Sequence, residues 1–329
     1  MTDKERLLKL AFIIVMLGTA CSRTPRDKPF DNIVNLNFIN AWGTYGKSKG
    51  QFINPEAVTV APNGNVYVAD SWNHRVQYFT PTGTFLGQWG HEGNGNGQFC
   101  YPVDVAVGRN TNVYVLDYRN DRVQYFTANG TFLGKWGATG SKDGEFYNPD
   151  SIACAPNGNI YVYDAGNYRV QYFTPRGAFL GKWGTRGNGL GQFNPCNKYP
   201  DSIAISPNGN VYVTDYWNYR VQYFNLSGDY LGSWGRKGLG PGYFCGSCSI
   251  AITANGELNV VDEGSCSIEV FTPTGSFVRE WGIAETIWGE QARRIYTITE
   301  RIKPNDVGTG PNGKLYIAIE HRILYFAVN

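Results

Sequence analysis

The dipeptide Trp-Gly recurs at Trp42, Trp89, Trp136, Trp183, Trp234 and Trp281, with spacings of 47, 47, 47, 51 and 47 residues. A chain that repeats itself at such a period folds as an array of one supersecondary unit, each copy burying the face of the next. Two polar columns keep the same step. Asp stands at 70, 117, 164, 215 and 262, and Arg follows five places on at 75, 122, 169 and 220. The first unit reads GQFINPEAVTVAPNGNVYVADSWNHRVQYFTPTGTFLGQWG.

Each unit holds four short runs rich in Val, Ile, Tyr, Phe and Thr, which in the first unit are Ala57–Val60, Asn65–Ala69, Arg75–Phe79 and Thr84–Trp89. Pro62-Asn63-Gly64 and Pro81-Thr82-Gly83 are turn signals between them. Apolar residues occupy both faces of the runs, as expected of a small sheet covered on both sides. Gly is abundant, 41 of 329 residues, without a collagen-like period, which fits many tight turns. A four-stranded antiparallel unit of this size, stacked on its neighbours, is a propeller blade. The last unit, from Pro304, supplies three runs and no Trp-Gly. At the other end of the chain, Asn35–Trp42 aligns with an outer strand but lacks the three before it. The N-terminal strand is therefore expected to complete the C-terminal blade and remove the free edge. The predicted fold is all-β: six blades in one domain over residues 32–329.

The recurring pattern runs G-x-F, Pro, V-x-V, N-G-N-V-Y-V-x-D, N-x-R-V-Q-x-F and G-x-F-L-G-x-W-G. It resembles the NHL repeat family over nearly the whole chain after the leader. Units one to four match well. Unit five carries Ile268-Glu269-Val270-Phe271 and Ser247, and unit six has Ile319 where Asp belongs. The resemblance implies the propeller but no single function, since the family includes an amidating lyase, RNA-binding and protein-binding domains and exported sensors.

Residues present in every blade are expected to pack or cap that blade. Trp89 and its equivalents would cover the next blade. Asp70 and Asn73 would accept backbone N–H bonds across the second turn, and Arg75 would pair with an Asp of its own or a neighbouring blade. Function should lie where units differ. By the resemblance and propeller geometry together, ligands sit where the inner strands begin and where second strands turn into third strands. The two residues after the Pro column include an acid in five of six blades: Glu56, Asp104, Asp150, Asp201 and Asp306. Five carboxylates around one mouth call for a cationic or polyhydroxylated ligand, a channel-bound Ca²⁺ or water cluster, or capping bonds to neighbouring blades. Trp72, Tyr118, Tyr216 and Trp217 are expected exposed or half-exposed on the adjacent turns, suiting a protein, peptide or carbohydrate. The longest inter-blade loop, residues 282–303, adds Arg293 and Arg294 as candidate contacts at the mouth.

The lyase branch of the family holds zinc through histidines at the channel. This chain has only His74, His91 and His321, none at the start of an inner strand, and no Cys/His spacing replaces them. No metal-ligand set, nucleophile elbow or phosphate loop is found, so no resident cofactor is assigned. Residues after position 30 hold 23 Lys and Arg against 24 Asp and Glu, which argues against nucleic acid. Cys154 aligns with buried inner-strand residues, and Cys248 with Cys266 is a candidate disulfide.

The chain opens MTDKERLLKLAFIIVMLGTAC, a basic start, an apolar run over Leu10–Leu17, small residues, then Cys21. The run is too short to span a bilayer and fits a signal peptide over 1–20. It resembles a bacterial lipoprotein signal, which would make Cys21 the lipidated N-terminus, with residues 21–31 as tether; ordinary secretion is the alternative. The sequence thus points to an exported, monomeric, non-catalytic binding module in the cell envelope. The alternative is a metal-assisted lyase or hydrolase working at the channel mouth.

Overall fold

A computed structural model describes residues 37–194, 201–238, 240–262, 264, 265, 267–282, 304–310 and 313–327. Within them lie six four-stranded antiparallel sheets. Blade I comprises Pro55–Val60, Val66–Asp70, Arg75–Phe79 and Phe85–Trp89, from the inner strand outwards. Blades II, III, IV and V repeat it, with inner strands Pro102–Val107, Ser151–Cys154, Ile203–Ile205 and Ser247–Ile252. Blade VI takes Pro304–Thr309, Leu315–Ile319 and Arg322–Ala327 from one end of the chain and its outer strand, Asn37–Trp42, from the other. The closing pair is antiparallel, with Phe38 opposite Phe326 and Trp42 opposite Ile323. The expected exchange of strands is thus what closes the ring.

Blades are held together by buried apolar layers and by a few directed bonds. Trp89 ends the outer strand of blade I and lies against Gly130 in the next blade. That glycine has φ +89°, and a Cβ there would stand 2.7 Å from the indole. No other residue satisfies both the backbone angle and the close approach. The buried Tyr67, Tyr114, Tyr161, Tyr212 and Tyr316 reach the next blade's outer turn, where their hydroxyls donate to the carbonyls of Ala128, Pro175, Leu226, Pro273 and Pro81 at 2.9–3.2 Å. Blade V has Asn259 in that column. Its neighbour, blade VI, has no such turn, because its third and outer strands come from opposite ends of the chain.

In each of blades I to IV the recurring polar residues form one cluster. Asp70 faces Arg75 across the second and third strands. In blades I to IV the Arg Nε donates to the Asp of its own blade at 2.7–2.8 Å. In blade II, Asn120 and Gln124 donate to the same Asp117 oxygen, and the Arg122 guanidinium also donates to the carbonyls of Asn94, Gly95 and Gln98. The Asp bonds differ from the expected pattern. Asp70 accepts the N–H of Ile53, from the loop preceding its inner strand, at 2.9 Å. Asn73 donates to Asp70 and to the Gly46 carbonyl rather than accepting. Each cluster therefore fastens an inter-blade loop to a blade.

Removing one partner of a buried ion pair strands the other charge. Arg122→Ala should lower unfolding free energy by about 3–5 kcal/mol, whereas Ser267→Ala, at the same column of blade V, should cost about 1 kcal/mol. Urea denaturation of the two variants measures the contrast.

Candidate functional site

Inner strands begin on the face where second strands turn into third strands, so the channel mouth, these turns and the inter-blade loops share one face. Glu56, Asp104, Asp150, Asp201 and Asp306 all line one small cavity there. Below it runs a channel of about 230 Å³ lined by inner-strand residues such as Ala106, Ala153, Ala204, Ala251 and Gly308, with Cys154 half-buried in its wall rather than fully buried.

The five acids fall into two adjacent columns with different bonding. In the column two places after the Pro, side chains cap the next blade. Asp104 accepts from the Ile152 N–H at 2.8 Å and the Ser151 hydroxyl at 2.7 Å, and from the Val105 N–H at 2.7 Å. Asp306 accepts from the Val58 N–H at 2.8 Å, across the ring closure, and from the Ser249 hydroxyl. Ser151 and Ser249 continue the chain of caps to Ile203 and Val307. Burial raises Asp104 to about 6 despite these bonds. Asp306 rises to about 7, through burial and then the nearby Asp104 charge.

In the column directly after the Pro, the acids rim the mouth. Glu56 is half-buried, accepts from the Asn54 amide at 2.7 Å, and is pushed up to about 7 by desolvation. Asp150 is half-buried and accepts the Asp201 N–H. Burial, then the charges of Glu56, Asp164 and Asp104, hold it well above the usual carboxylate range. Asp201 is fully buried and accepts the Tyr216 N–H at 2.9 Å. Tyr118 is half-buried, and burial first, then the Asp150 charge, raises its hydroxyl.

The turn aromatics divide. Trp72 and Trp217 are 53% and 49% exposed. Trp72 meets the Tyr101 ring edge-on, and the Arg119 guanidinium lies 5.1 Å over Tyr118. Tyr216 is buried, contrary to expectation. Its ring covers Gly246 before the next inner strand, where a Cβ would come within 2.8 Å. Cys21, Arg293, Arg294 and Cys266 lie outside the described residues, and of Cys248 only its place in the Ser247–Ile252 strand is described.

The histidines are dispersed. His74 accepts the Tyr101 N–H at 3.2 Å, His91 bonds Gln98 at 3.0 Å, and His321 meets the Tyr45 ring. Among the described residues no group of three or more His, Cys, Asp or Glu is arranged to hold a metal. One residue was not singled out in the sequence. Tyr163 is fully buried, its hydroxyl has no hydrogen-bond partner among the described residues, and Asp201, Asp215, Asp150 and Asp164 all bear on it. Its column otherwise holds Ala69, Leu116, Thr214, Val261 and Ala318, so the lone Tyr was the available signal.

A carboxyl that binds its proton more tightly when folded contributes most at low pH, and that contribution fades as pH passes its folded value. Glu56 rises from 4.5 to about 7, and Asp306 from 3.8 to about 7. Urea midpoints should therefore fall between about pH 4 and pH 7, and Glu56→Gln should flatten part of that fall. Midpoints that climb over this range would contradict the assignment.

The NHL repeat matches residues 52–79, 99–126 and 197–224. No curated protein sequence matches the chain significantly. Among solved structures, a streptogramin B lyase is 15% identical, covering 89% of this chain and 98% of its own, with a TM-score of 0.59. A catalytically inactive virginiamycin B lyase from Staphylococcus aureus with quinupristin is 14% identical, covering 89% and 99%, with a TM-score of 0.57. A protein of unknown function from Bacteroides thetaiotaomicron is 14% identical, covering 89% and 75%, with a TM-score of 0.61. At these identities the likeness is one of fold. The chain is a six-bladed β-propeller that carries NHL repeats.

Proposed function

We propose that this propeller is an exported, non-catalytic binding module that receives a peptide or protein partner on its loop face. The observation that carries the reading is the exposure of Trp72 and Trp217 on the face that bears the acidic mouth. Exposed indoles beside a charged depression are what an interface needs at its centre: large apolar area at low conformational cost. The capping bonds of Asp104 and Asp306 favour the same reading. Their oxygens are spent on holding inner strands in place, so they act as a rigid floor rather than as proton-transfer groups. The rim is thus preorganised, which lowers the cost of binding.

Two experiments test this. Panning the immobilised protein against a random displayed-peptide library should enrich binders, and Trp72→Ala with Trp217→Ala should abolish the enrichment while Leu133→Ala, on the outer strand of blade II, preserves it. Enrichment indifferent to the tryptophans contradicts the reading. Export with a lipid anchor predicts that the full chain expressed in a bacterial host incorporates labelled palmitate, and that Cys21→Ser removes the label. A wild-type chain that stays unlabelled overturns the anchor.

A further inference from the structure

Away from the mouth acids, the loop face carries unpaired positive charge. The loop entering blade IV, residues 184–192, and the loop entering blade V, residues 235–243, contain Arg186, Arg236 and Lys237 and no Asp or Glu. All three cations are exposed. Each lies over an aromatic ring: Arg186 over Tyr168 at 5.3 Å, Arg236 over Tyr243 at 4.2 Å and Lys237 over Tyr219 at 5.1 Å. Among the described residues none of the three has a carboxylate partner. The loop entering blade III differs. There Lys142 pairs with Glu145 at 4.0 Å, and Asp143 pairs with Lys182 at 2.5 Å.

Hydrogen bonds join these loops to one exposed indole. Trp217, 49% exposed, sits in the turn Tyr216–Asn218 of blade IV. Its backbone N–H donates to the Asn194 carbonyl at 3.3 Å, and Asn218 donates to the carbonyl of Gly187, beside Arg186, at 3.0 Å. Arg220 holds the same loop through the Gly189 and Gln192 carbonyls at 2.8 and 2.9 Å. Tyr219 closes the turn and carries Lys237 on its ring. Leu190 adds an apolar side chain, 70% exposed, to the loop entering blade IV. The acids of blade IV, Asp201 and Asp215, are fully buried, so the surface charge of this sector is positive.

We infer that this sector of the rim receives an acidic peptide segment that carries an apolar side chain among its carboxylates. The inference rests on the binding-module reading and names the chemistry of the partner. A guanidinium stacked on a ring keeps its N–H edge free for a carboxylate. A cation already seated on a ring also loses less side-chain freedom when the partner arrives. Trp217 and Leu190 supply the apolar contact beside the charges. The positive charge is local. The loop entering blade II, residues 90–98, has Glu92 and no Lys or Arg, and the residues after position 30 are close to charge balance. A confined basic sector beside an indole fits one peptide segment, whereas a nucleic-acid duplex or an anionic bilayer calls for a broad basic surface.

Isothermal titration of the full chain with the acetylated peptide amide Gly-Glu-Glu-Leu-Glu-Glu-Gly tests this, with Gly-Gln-Gln-Leu-Gln-Gln-Gly as the uncharged isostere. At about 50 mM NaCl the acidic peptide should bind at least about tenfold more tightly than the neutral one, and about 200 mM NaCl should weaken it about threefold or more. Arg186→Gln with Lys237→Gln should lower its affinity at least about tenfold, and Trp217→Ala about fivefold. Lys47→Gln with Lys49→Gln removes the same charge from the loop entering blade I and should change affinity less than about twofold. All four basic side chains are exposed, so neither double variant puts folding at stake. Equal binding of the two peptides, equal loss in the two double variants, or affinity unchanged in Trp217→Ala overturns the assignment. Tighter binding of single-stranded DNA or of phosphatidylglycerol vesicles, lost in Arg186→Gln with Lys237→Gln, overturns it in favour of nucleic acid or membrane. Silence toward the acidic peptide with successful, tryptophan-dependent panning removes the acidic partner and leaves the binding module standing, whereas failure of both removes both.

Discussion

A carboxylate held at zero exposure is the constraint on which the rest of the structure depends. Asp70, Asp117, Asp164 and Asp215 are fully buried, which raises each carboxyl, and each blade surrounds its own with donors that work against that rise. An isolated carboxylate in such a place would cost several kcal/mol. Here the Arg Nε, an Asn amide, a Gln amide and one backbone N–H share the load, as in blade I with Arg75, Asn73, Gln77 and Ile53. The other guanidinium N–H groups donate to three loop carbonyls and to the Gln88 amide oxygen, so the cluster that pairs with the acid also fastens the chain entering the blade. The loop reaches the mouth only a few residues later. Mouth residues can therefore differ from blade to blade while the backbone under them stays the same.

The ring and its closure were legible because they follow from counting. The Trp-Gly step sets the unit, and a unit missing its last strand at one end of the chain matches an unattached strand at the other. The division of the mouth acids was not legible. Glu56 and Asp104 sit one column apart, and in blades I, II, V and VI a register shift at the start of the inner strand separates the two positions. One column rims the mouth and the other caps the neighbouring blade, and only the irregular pairing reveals it. Tyr216 misled for a related reason. Its burial depends on Gly246, thirty residues on, and neither residue announces the contact by itself.

Blade V shows what happens when the cluster is relaxed. Ser267 replaces Arg and Glu269 replaces Gln, while Asp262 remains buried and accepts the Cys245 and Gly264 N–H groups instead. Glu269 keeps the Gln role toward the loop by accepting the Gly242 N–H at 2.9 Å. Arg279 takes the column of Gly87 and pairs bidentately with Glu257. These changes sit beside the seam, where the neighbouring blade lacks an outer turn, so the repeat departs from its pattern where its usual bonding partner is missing.

The account centres on buried carboxylates clamping the inter-blade loops, and amide hydrogen exchange reads that most directly. The N–H groups of Ile53, Cys100, Tyr147 and Asn194 lie in loops yet donate to Asp70, Asp117, Asp164 and Asp215 at 2.7–2.9 Å. If the clamps hold, these four exchange only with global unfolding, as slowly as the second-strand amides. Exchange at the rate of ordinary surface loops would show that the loops open independently, and the fixed rim beneath the mouth residues would be lost with them.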